Sequence, residues 1–336
     1  MSTEFAGSSG NRLAAADRPV LAVDNLSVSL PSHRGRVHAV VDVSYRIDAG
    51  RILGVVGESG CGKTMTALAV VGQLPASADR SGGIRFEGGD LSAAPATAMQ
   101  ALLGDRLAMI YQEPMTSLNP VMPVGDQVAE VLVVHRDLSW RQARERAVEL
   151  LAEVRILGPR DRARAYPHEL SGGMRQRAMI AIALACQPAL LIADEPTTAL
   201  DVTVQAQIMD LLLEMQERLG MAIQFISHNL AVVSEMADEI MVMYAGRIVE
   251  RADAATFFAA PLHPYSAGLM RTIPNPLERR PRLPTIPGSV PSPSRERTGC
   301  AFADRCPLAD SACREREPEL TRVAGGHEVA CLKVAS

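Results

Sequence analysis

Between residues 20 and 260, hydrophobic and polar residues follow patterns typical of strands and of helices. Segments 21–30 and 37–47 alternate apolar with polar residues, like strands of an antiparallel sheet that bury one face. Segments 52–57, 189–194 and 222–227 are apolar nearly throughout, which predicts strands buried on both faces. Helical patterns lie between these runs, so the order of elements predicts an α/β fold.

A mainly helical stretch is predicted over residues 115–186. Within it, residues 140–154 repeat apolar positions at a spacing of three to four, opposite a face of arginine and glutamate. We expect that polar face to be solvated. The stretch therefore predicts a helical part of the same domain.

The pattern changes after residue 260. Long helices and strands are not expected there, because proline fixes φ and lacks a backbone donor. Four of the six cysteines of the chain follow the prolines, which in a cytosolic protein favours a metal site over disulfides. We therefore predict a disordered leader over 1–19, a main domain over 20–260 and a small metal-stapled extension over 261–336. The prolines lie at positions 261, 264, 274, 276, 281, 284, 287, 291 and 293.

Bulk composition argues against several kinds of protein. Hydrophobic residues make up 47% and charged residues 21% of the chain, as in ordinary globular domains. Aromatic residues make up only 4% and the net charge is −4, so no nucleic-acid partner is expected. No stretch approaches the roughly 18 to 20 apolar residues that span a bilayer, and the start lacks a signal-peptide pattern. We expect a cytosolic protein, so that any crossing of a membrane is done by other chains.

A phosphate-binding motif lies between a predicted strand and a predicted helix. Residues 57–64 read GESGCGKT and match the pattern GxxxxGK[ST]. Glycines let the backbone wrap around phosphates, and the N–H groups at the helix start point at the anion. Lys63 is expected to reach the β- and γ-phosphates, and the Thr64 hydroxyl to bind Mg²⁺. The alternative is a glycine-rich turn that matches by chance. The candidate nucleotide-binding residues here are Gly57, Glu58, Ser59, Gly60, Cys61, Gly62, Lys63 and Thr64.

One residue of this motif carries a thiol. Cys61 is expected at a helix N-terminus, where thiol pKa values tend to fall. Alkylation is then expected to block ATP turnover, and bound ATP to protect. A small filler residue without a chemical role is the equally open alternative.

An acidic pair follows the buried run 189–194. The strand delivers Asp194 at its carboxyl end, where ligands bind in open α/β sheets, and Asp194 is expected to hold Mg²⁺ through water. The adjacent Glu195 is a candidate general base for the attacking water. Such a pair alone is usually a helix cap, but together with the loop at 57–64 it predicts hydrolysis of a nucleotide.

The segment 170–177, LSGGMRQR, is the most specific motif and resembles the signature motif of ABC-transporter ATPases. Ser171, Gly172 and Gly173 open a helix whose bare N–H groups form a second anion site. An ordinary N-cap with flexible glycines is the alternative. The resemblance implies a head-to-tail dimer, in which this turn closes over ATP held by the partner's phosphate loop.

The resemblance also implies the fold and further site residues. It implies a P-loop NTPase with a RecA-like core, an antiparallel β subdomain, a helical subdomain and a small cysteine-rich C-terminal extension. Gln112 resembles the glutamine that contacts Mg²⁺ and couples to the membrane subunits. Asp201 resembles the residue that signals across the dimer, and His228 the switch histidine at the γ-phosphate. The implied catalytic set is Glu195, His228, Lys63 and Gln112.

Adenine recognition departs from the family pattern. The aromatic residue on which the family usually stacks adenine is missing from segment 32–38. A guanidinium or imidazole plane of Arg34, Arg36 or His38 can replace it. Loose nucleotide selectivity is the expected consequence.

Three features resemble the oligopeptide/dipeptide importer family. Met174 in the signature is a trait of its D-type subunits, and residues 263–265, HPY, match the motif that names its C-terminal extension. The third feature is the cysteine set. Four thiolates can hold zinc or an iron–sulfur cluster, but close CxxC pairs typical of zinc sites are missing. The resemblance implies a 4Fe–4S cluster, with zinc as the alternative, on Cys300, Cys306, Cys313 and Cys331.

The resemblance thus implies an ATPase subunit, a translocase enzyme, that energises import of di- or oligopeptides. Its implied partners are a second, F-type ATPase subunit, two membrane permeases and an extracytoplasmic substrate-binding protein. It is expected to lie peripherally on the cytoplasmic face of the cell membrane. The alternatives are the same role in a nickel, glutathione or other small-solute importer, and an ABC ATPase that does not transport.

Overall fold

An eight-stranded sheet forms the centre of the protein in the computed structural model. The structure describes residues 19–33, 35–112, 117–198, 200–273, 284–291 and 298–334. In spatial order the strands of this sheet are β11, β12, β10, β9, β3, β8, β7 and β6. Their bounds are β3 Ile52–Val56, β6 Leu107–Ile110, β7 Leu190–Asp194, β8 Ala222–Ser227, β9 Glu239–Tyr244, β10 Arg247–Asp253, β11 Thr321–Arg322 and β12 Glu328–Val329.

The five strands from β9 to β6 run parallel to one another, and β10 pairs with β9 antiparallel. The predicted strands at 52–57, 189–194 and 222–227 are confirmed as β3, β7 and β8. They are mostly apolar because both faces of the sheet are covered. Leu191 and Ala193 point into one core and Leu190 and Ile192 into the other, as the strand period of two requires.

A second, antiparallel sheet of four strands packs against one of these cores. The two segments predicted from alternation form its longest strands, which pair from Leu21 opposite Ile47 to Ser32 opposite Gly35. Register shifts interrupt this pairing and bend the strands. The strands are β1 Leu21–Ser32, β2 Gly35–Ile47, β4 Asp79–Phe86 and β5 Gly89–Asp90.

The helices surround the large sheet, and those between β6 and β7 form the predicted helical part. Residues 140–154 are helical as expected, and Ser139 caps this helix reciprocally with Gln142. The described helices are α1 Lys63–Val70, α2 Ala96–Leu102, α3 Val124–Arg136, α4 Trp140–Glu153, α5 Pro159–Arg162, α6 Gly172–Leu184, α7 Val202–Leu219, α8 Leu230–Ser234, α9 Ala254–Ala259, α10 Pro264–Thr272 and α11 Ser311–Glu315. None of them has the length and apolar character needed to cross a bilayer.

The C-terminal region continues the large sheet. Strand β12 pairs with β10, with Glu250 opposite Val329, and β11 pairs with β12. The carboxylate of Glu250 is fully buried and accepts hydrogen bonds from the N–H groups of Leu262 and His263. Its other contact is His327 Nε2, at 2.7 Å. Backbone pairing and this buried carboxylate therefore hold the end of the chain against the sheet.

Candidate active site

The loop at 57–64 connects β3 to α1. Gly57 has φ +153, and a Cβ there would lie 2.3 Å from the carbonyl oxygen of Met243. Gly62 has φ +106, and a Cβ there would lie 2.5 Å from the carbonyl oxygen of Ala39. Larger residues are excluded at both positions by close backbone approach as well as by φ. The first N–H groups of α1 have no intrahelical acceptors and therefore form an anion site.

Lys63 is nearly buried at the start of α1, with 5% of its surface exposed. Its ammonium donates to the carbonyl oxygens of Gly57 and Glu58, at 2.7 and 3.2 Å. The positive charge therefore lies within the loop that would surround phosphates. This is the position that the sequence predicted for it.

Thr64 and Asp194 come together from different elements. Asp194 ends β7 and is 1% exposed. Burial raises the pKa of its carboxyl group, whereas a hydrogen bond with the Thr64 side chain and the charge of Lys63 oppose that rise. Asp194 Oδ1 is buried and has no hydrogen-bond partner within the described part of the chain. A carboxylate oxygen without a partner beside a hydroxyl suits Mg²⁺, which prefers oxygen ligands.

Glu195 is the centre of a polar cluster. Its Oε2 atom accepts hydrogen bonds from Gln112 Nε2 at 3.2 Å and from the Thr198 hydroxyl at 2.9 Å. His228 Nδ1 lies 3.0 Å from the same oxygen. Glu195 has φ +48, a conformation that is unfavourable for a residue with a side chain. The surrounding contacts hold it there, as is common at functional sites.

Thr198 was not among the residues predicted from sequence. It follows Glu195 by three positions, and its hydroxyl reaches back to the carboxylate. A short polar side chain three positions after an acidic residue could have predicted this contact from sequence, because turns bring such positions together. Gln112, Glu195 and His228 were predicted, and the structure brings all three into contact.

The signature turn lies at the start of α6. Ser171 caps α6 by accepting from the N–H of Met174, and Asp201 caps α7 in the same way through Val204. The two helix starts touch, since a Cβ on Gly173 would lie 2.8 Å from Val204 Cγ1. Both capping residues are exposed. Among the described residues, no hydrogen bond joins this turn to the loop at 57–64.

The candidate adenine-binding segment lies in the hairpin between β1 and β2. His38 is exposed there. Arg36 forms an ion pair with Asp79 and donates to Ser29, so its guanidinium is already engaged. Arg34 lies outside the described residues. His38 is therefore the better placed of the two described candidates for stacking.

The prediction of a reactive Cys61 is wrong. Its side chain is fully buried against Gly57, in the core against which the four-stranded sheet packs. Burial raises the pKa of the Cys61 thiol and outweighs the opposing effect of Lys63. The alternative, a small filler residue, agrees with this packing.

The prediction of an iron–sulfur cluster, or of zinc in its place, is also wrong. No group of three or more His, Cys, Asp or Glu side chains within the described ranges is arranged to hold a metal ion. The four cysteines border one small cavity but pack as apolar residues against the core. The family resemblance therefore implied a cluster that the packing does not support. The cysteines concerned are Cys300, Cys306, Cys313 and Cys331.

Two known families match this chain. The family described as "ABC transporter" matches residues 40–198. The family described as "Oligopeptide/dipeptide transporter, C-terminal region" matches residues 249–313. The first match includes the phosphate loop, the signature turn and the Asp194–Glu195 pair. The second includes the HPY motif at 263–265.

Known proteins are similar over nearly the full length. A probable peptide ABC transporter ATP-binding protein, y4tR of Sinorhizobium fredii, is 48% identical over 317 residues, covering 94% of this chain and 95% of that protein. The dipeptide transport ATP-binding protein DppD of Escherichia coli is 45% identical over 317 residues, covering 93% and 96%. A putative peptide import ATP-binding protein of Brucella melitensis is 48% identical over 314 residues, covering 93% and 94%.

Solved structures support the fold. The dimeric post-hydrolysis state of the ATP-binding cassette MJ0796 bound to ADP and Pi has a TM-score of 0.63 at 24% identity, covering 70% of this chain and 98% of that one. The protein cbiO1 of Clostridium perfringens has a TM-score of 0.60 at 27% identity, covering 72% and 92%. The α/β fold is therefore that of an ABC ATPase cassette. Through its similarity to full-length relatives and the match of its C-terminal region, the chain belongs to the ATP-binding proteins of peptide and dipeptide ABC transporters, the group that includes DppD.

Proposed function

We propose that this chain hydrolyses ATP to energise an importer of dipeptides or oligopeptides. The observation that carries the proposal is the cluster around Glu195. All the hydrogen bonds of its carboxylate to described residues go to Oε2, so Oε1 remains available to accept a proton from water. This carboxylate lies next to Asp194, at the carboxyl ends of the parallel strands.

The nucleotide is held by the loop at 57–64. Lys63 and the N–H groups at the start of α1 supply positive charge for the β- and γ-phosphates. Thr64 and Asp194 are the residues that would hold Mg²⁺, together with Gln112. Bound Mg²⁺ neutralises charge on the phosphates during transfer. His228 and Gln112 orient Glu195 and are placed to respond to the γ-phosphate.

The active unit is a head-to-tail pair of ATPase subunits. The exposed signature turn, Ser171 to Gly173, completes the nucleotide site of the partner, and Asp201 contacts the partner near it. The exposure of both helix starts, and the lack of a hydrogen bond between this turn and the loop at 57–64 in the described residues, support this arrangement. We propose that the partner is a related, F-type subunit.

Two permease subunits and an extracytoplasmic binding protein complete the transporter. The relatives are named as peptide and dipeptide transport proteins, which supports peptides as cargo. Helices within 115–165 would transmit closure of the ATPase pair to the permeases at the cytoplasmic face of the membrane. In this scheme residues 20–260 form the ATPase domain and residues 261–336 an extension that packs on it.

Glu195→Gln tests the role of the base in the assembled transporter. Turnover is expected to fall roughly 10²- to 10⁴-fold while ATP binding survives, because the amide cannot take the proton. Glu214→Gln is the matched control, since Glu214 forms an exposed ion pair with Arg155 far from the cluster. Phosphate release and nucleotide affinity are measured on all three proteins. Near-normal release by Glu195→Gln would refute Glu195 as the base.

A further inference from the structure

Glu58, the second residue of the phosphate loop, is held by the C-terminal region. Its N–H donates to the hydroxyl of Tyr265 at 2.8 Å. Its carboxylate receives two hydrogen bonds from the guanidinium of Arg305, at 2.6 and 2.9 Å. We propose that Tyr265 and Arg305 are positioning residues that hold the phosphate loop in its nucleotide-binding shape through Glu58. This inference rests on the proposed ATPase function.

Arg305 is itself held rigidly. Its side chain is 5% exposed, and its Nε donates to the carbonyl oxygen of Pro287 at 2.8 Å. The guanidinium lies over the rings of Tyr244 and Phe302, 5.8 and 5.9 Å from their centroids. Two parallel hydrogen bonds between a fixed guanidinium and a carboxylate define direction as well as distance. Glu58 is therefore bound by a preorganised partner and not by a mobile surface side chain.

Tyr265 is placed by the motif that precedes it. His263 caps α10, because its Nδ1 accepts from the N–H of Tyr265 at 3.0 Å. The Tyr265 ring packs 4.7 Å from the ring of Tyr244 and 5.4 Å from that of Phe302, measured between centroids. The hydroxyl is thereby fixed beside the phosphate loop. Burial raises the pKa of Tyr265, so the hydroxyl stays neutral.

The held residue also contacts the phosphate-binding groups. The carbonyl oxygen of Glu58 accepts hydrogen bonds from Lys63 Nζ at 3.2 Å and from the N–H of Cys61 at 3.3 Å. A shift of Glu58 would therefore move the ammonium and the start of α1. Phosphate recognition tolerates displacements of only about 0.5 Å before affinity falls. Tyr265 and Arg305 thus affect nucleotide binding through their contacts with Glu58.

Two substitutions separate positioning from simple attachment of the C-terminal region. Tyr265→Phe keeps the packed ring and removes only the acceptor of the Glu58 N–H. Arg305→Gln removes the paired charge, and Arg305→Lys restores the charge without the paired geometry. The matched control is Arg247→Gln, because Arg247 pairs with Glu317 and so joins the same region to β10 without contacting the loop.

Calorimetry measures the affinity of the full-length protein for a non-hydrolysable Mg·ATP analogue. The melting temperature of each variant is measured without nucleotide. We expect Kd to rise about 3- to 10-fold for Tyr265→Phe, which corresponds to loss of one hydrogen bond. We expect about 10- to 50-fold for Arg305→Gln, with partial rescue by lysine. The Kd of Arg247→Gln should stay at the wild-type value, and the melting temperature of Tyr265→Phe should lie close to that of Arg247→Gln. Arg305→Gln should melt at a lower temperature, because it breaks a buried ion pair.

The outcomes are distinct. An unchanged Kd for Tyr265→Phe and Arg305→Gln, with wild-type protein binding normally, would overturn the positioning role and leave the ATPase proposal standing. Equal changes in Kd for Arg247→Gln would overturn it as well, since attachment alone would explain them. If Arg305→Gln does not fold, Tyr265→Phe decides. Failure of the wild-type protein to bind the analogue would overturn both proposals.

Discussion

His263 makes the stability of the protein depend on pH in a calculable way. It is 1% exposed, and burial lowers its pKa from the usual 6.5 to about 4. The folded protein therefore resists protonation at this residue while the unfolded chain accepts it. The stabilising contribution is complete above the unfolded pKa and is lost as pH falls from about 6.5 toward about 4.

The size of the effect follows from the two pKa values. Proton linkage gives a loss of about 2 kcal/mol between pH 7 and pH 5 from this residue alone. The variant His263→Asn removes the titrating group and keeps a side-chain oxygen that can cap α10, as Nδ1 does now. Its unfolding free energy should change less with pH than that of the wild type, by about 2 kcal/mol over this range.

Urea unfolding of both proteins at several values of pH measures this difference. The neighbouring residues Glu250 and His327 are present in both proteins, so the comparison isolates the effect of His263. Parallel pH profiles for wild type and His263→Asn would refute the reasoning. A profile in which the wild type gains stability relative to the variant on acidification would show that the sign is wrong.

Three further substitutions or treatments test the packing. Gly57→Ala should destabilise the protein by about 2 kcal/mol or more, because its Cβ would meet the Met243 carbonyl. Gly60→Ala should cost about 1 kcal/mol, because the space around its Cβ is open. Melting temperatures without nucleotide compare the two variants. Glu250→Ala should cost about 3 to 5 kcal/mol of unfolding free energy, because two N–H groups and His327 lose their acceptor. The half-exposed Glu317→Ala is its control in the same urea assay, and equal costs would contradict this reasoning. Iodoacetamide should leave Cys61 unmodified in the native protein and modify it after denaturation, because the thiol is buried. Mass spectrometry of peptides measures the labelling, and rapid labelling of the native protein would contradict the burial.

Local sequence determined most elements of the ATPase fold. Continuous apolar runs specify strands covered on both faces, and β3, β7 and β8 lie where these runs predict. The phosphate loop was also predictable, since Gly57 and Gly62 need conformations that glycine alone adopts easily. These features depend on neighbours along the chain, which is why sequence was sufficient.

Contacts between residues that are distant in sequence could not be predicted from local patterns. Gln112 and Glu195 are 83 positions apart, and they meet because β6 and β7 are adjacent parallel strands. No local pattern predicts that order. Resemblance to a family supplied these residues, and tertiary structure supplied their contacts.

Tertiary packing alone decided the state of the thiols and the role of the C-terminal region. A helix N-terminus favours a reactive Cys61, but desolvation in the core raises the pKa of its thiol. The crowding of four cysteines and the family resemblance favoured a metal cluster, but ligands must converge on one point, which neither of them specifies. Glu58 and Arg305 are separated by 247 residues, and tertiary contacts such as the pairing of β12 with β10 and the burial of Glu250 bring that region to the phosphate loop. Such contacts depend on the summed packing of the whole chain and not on any one segment.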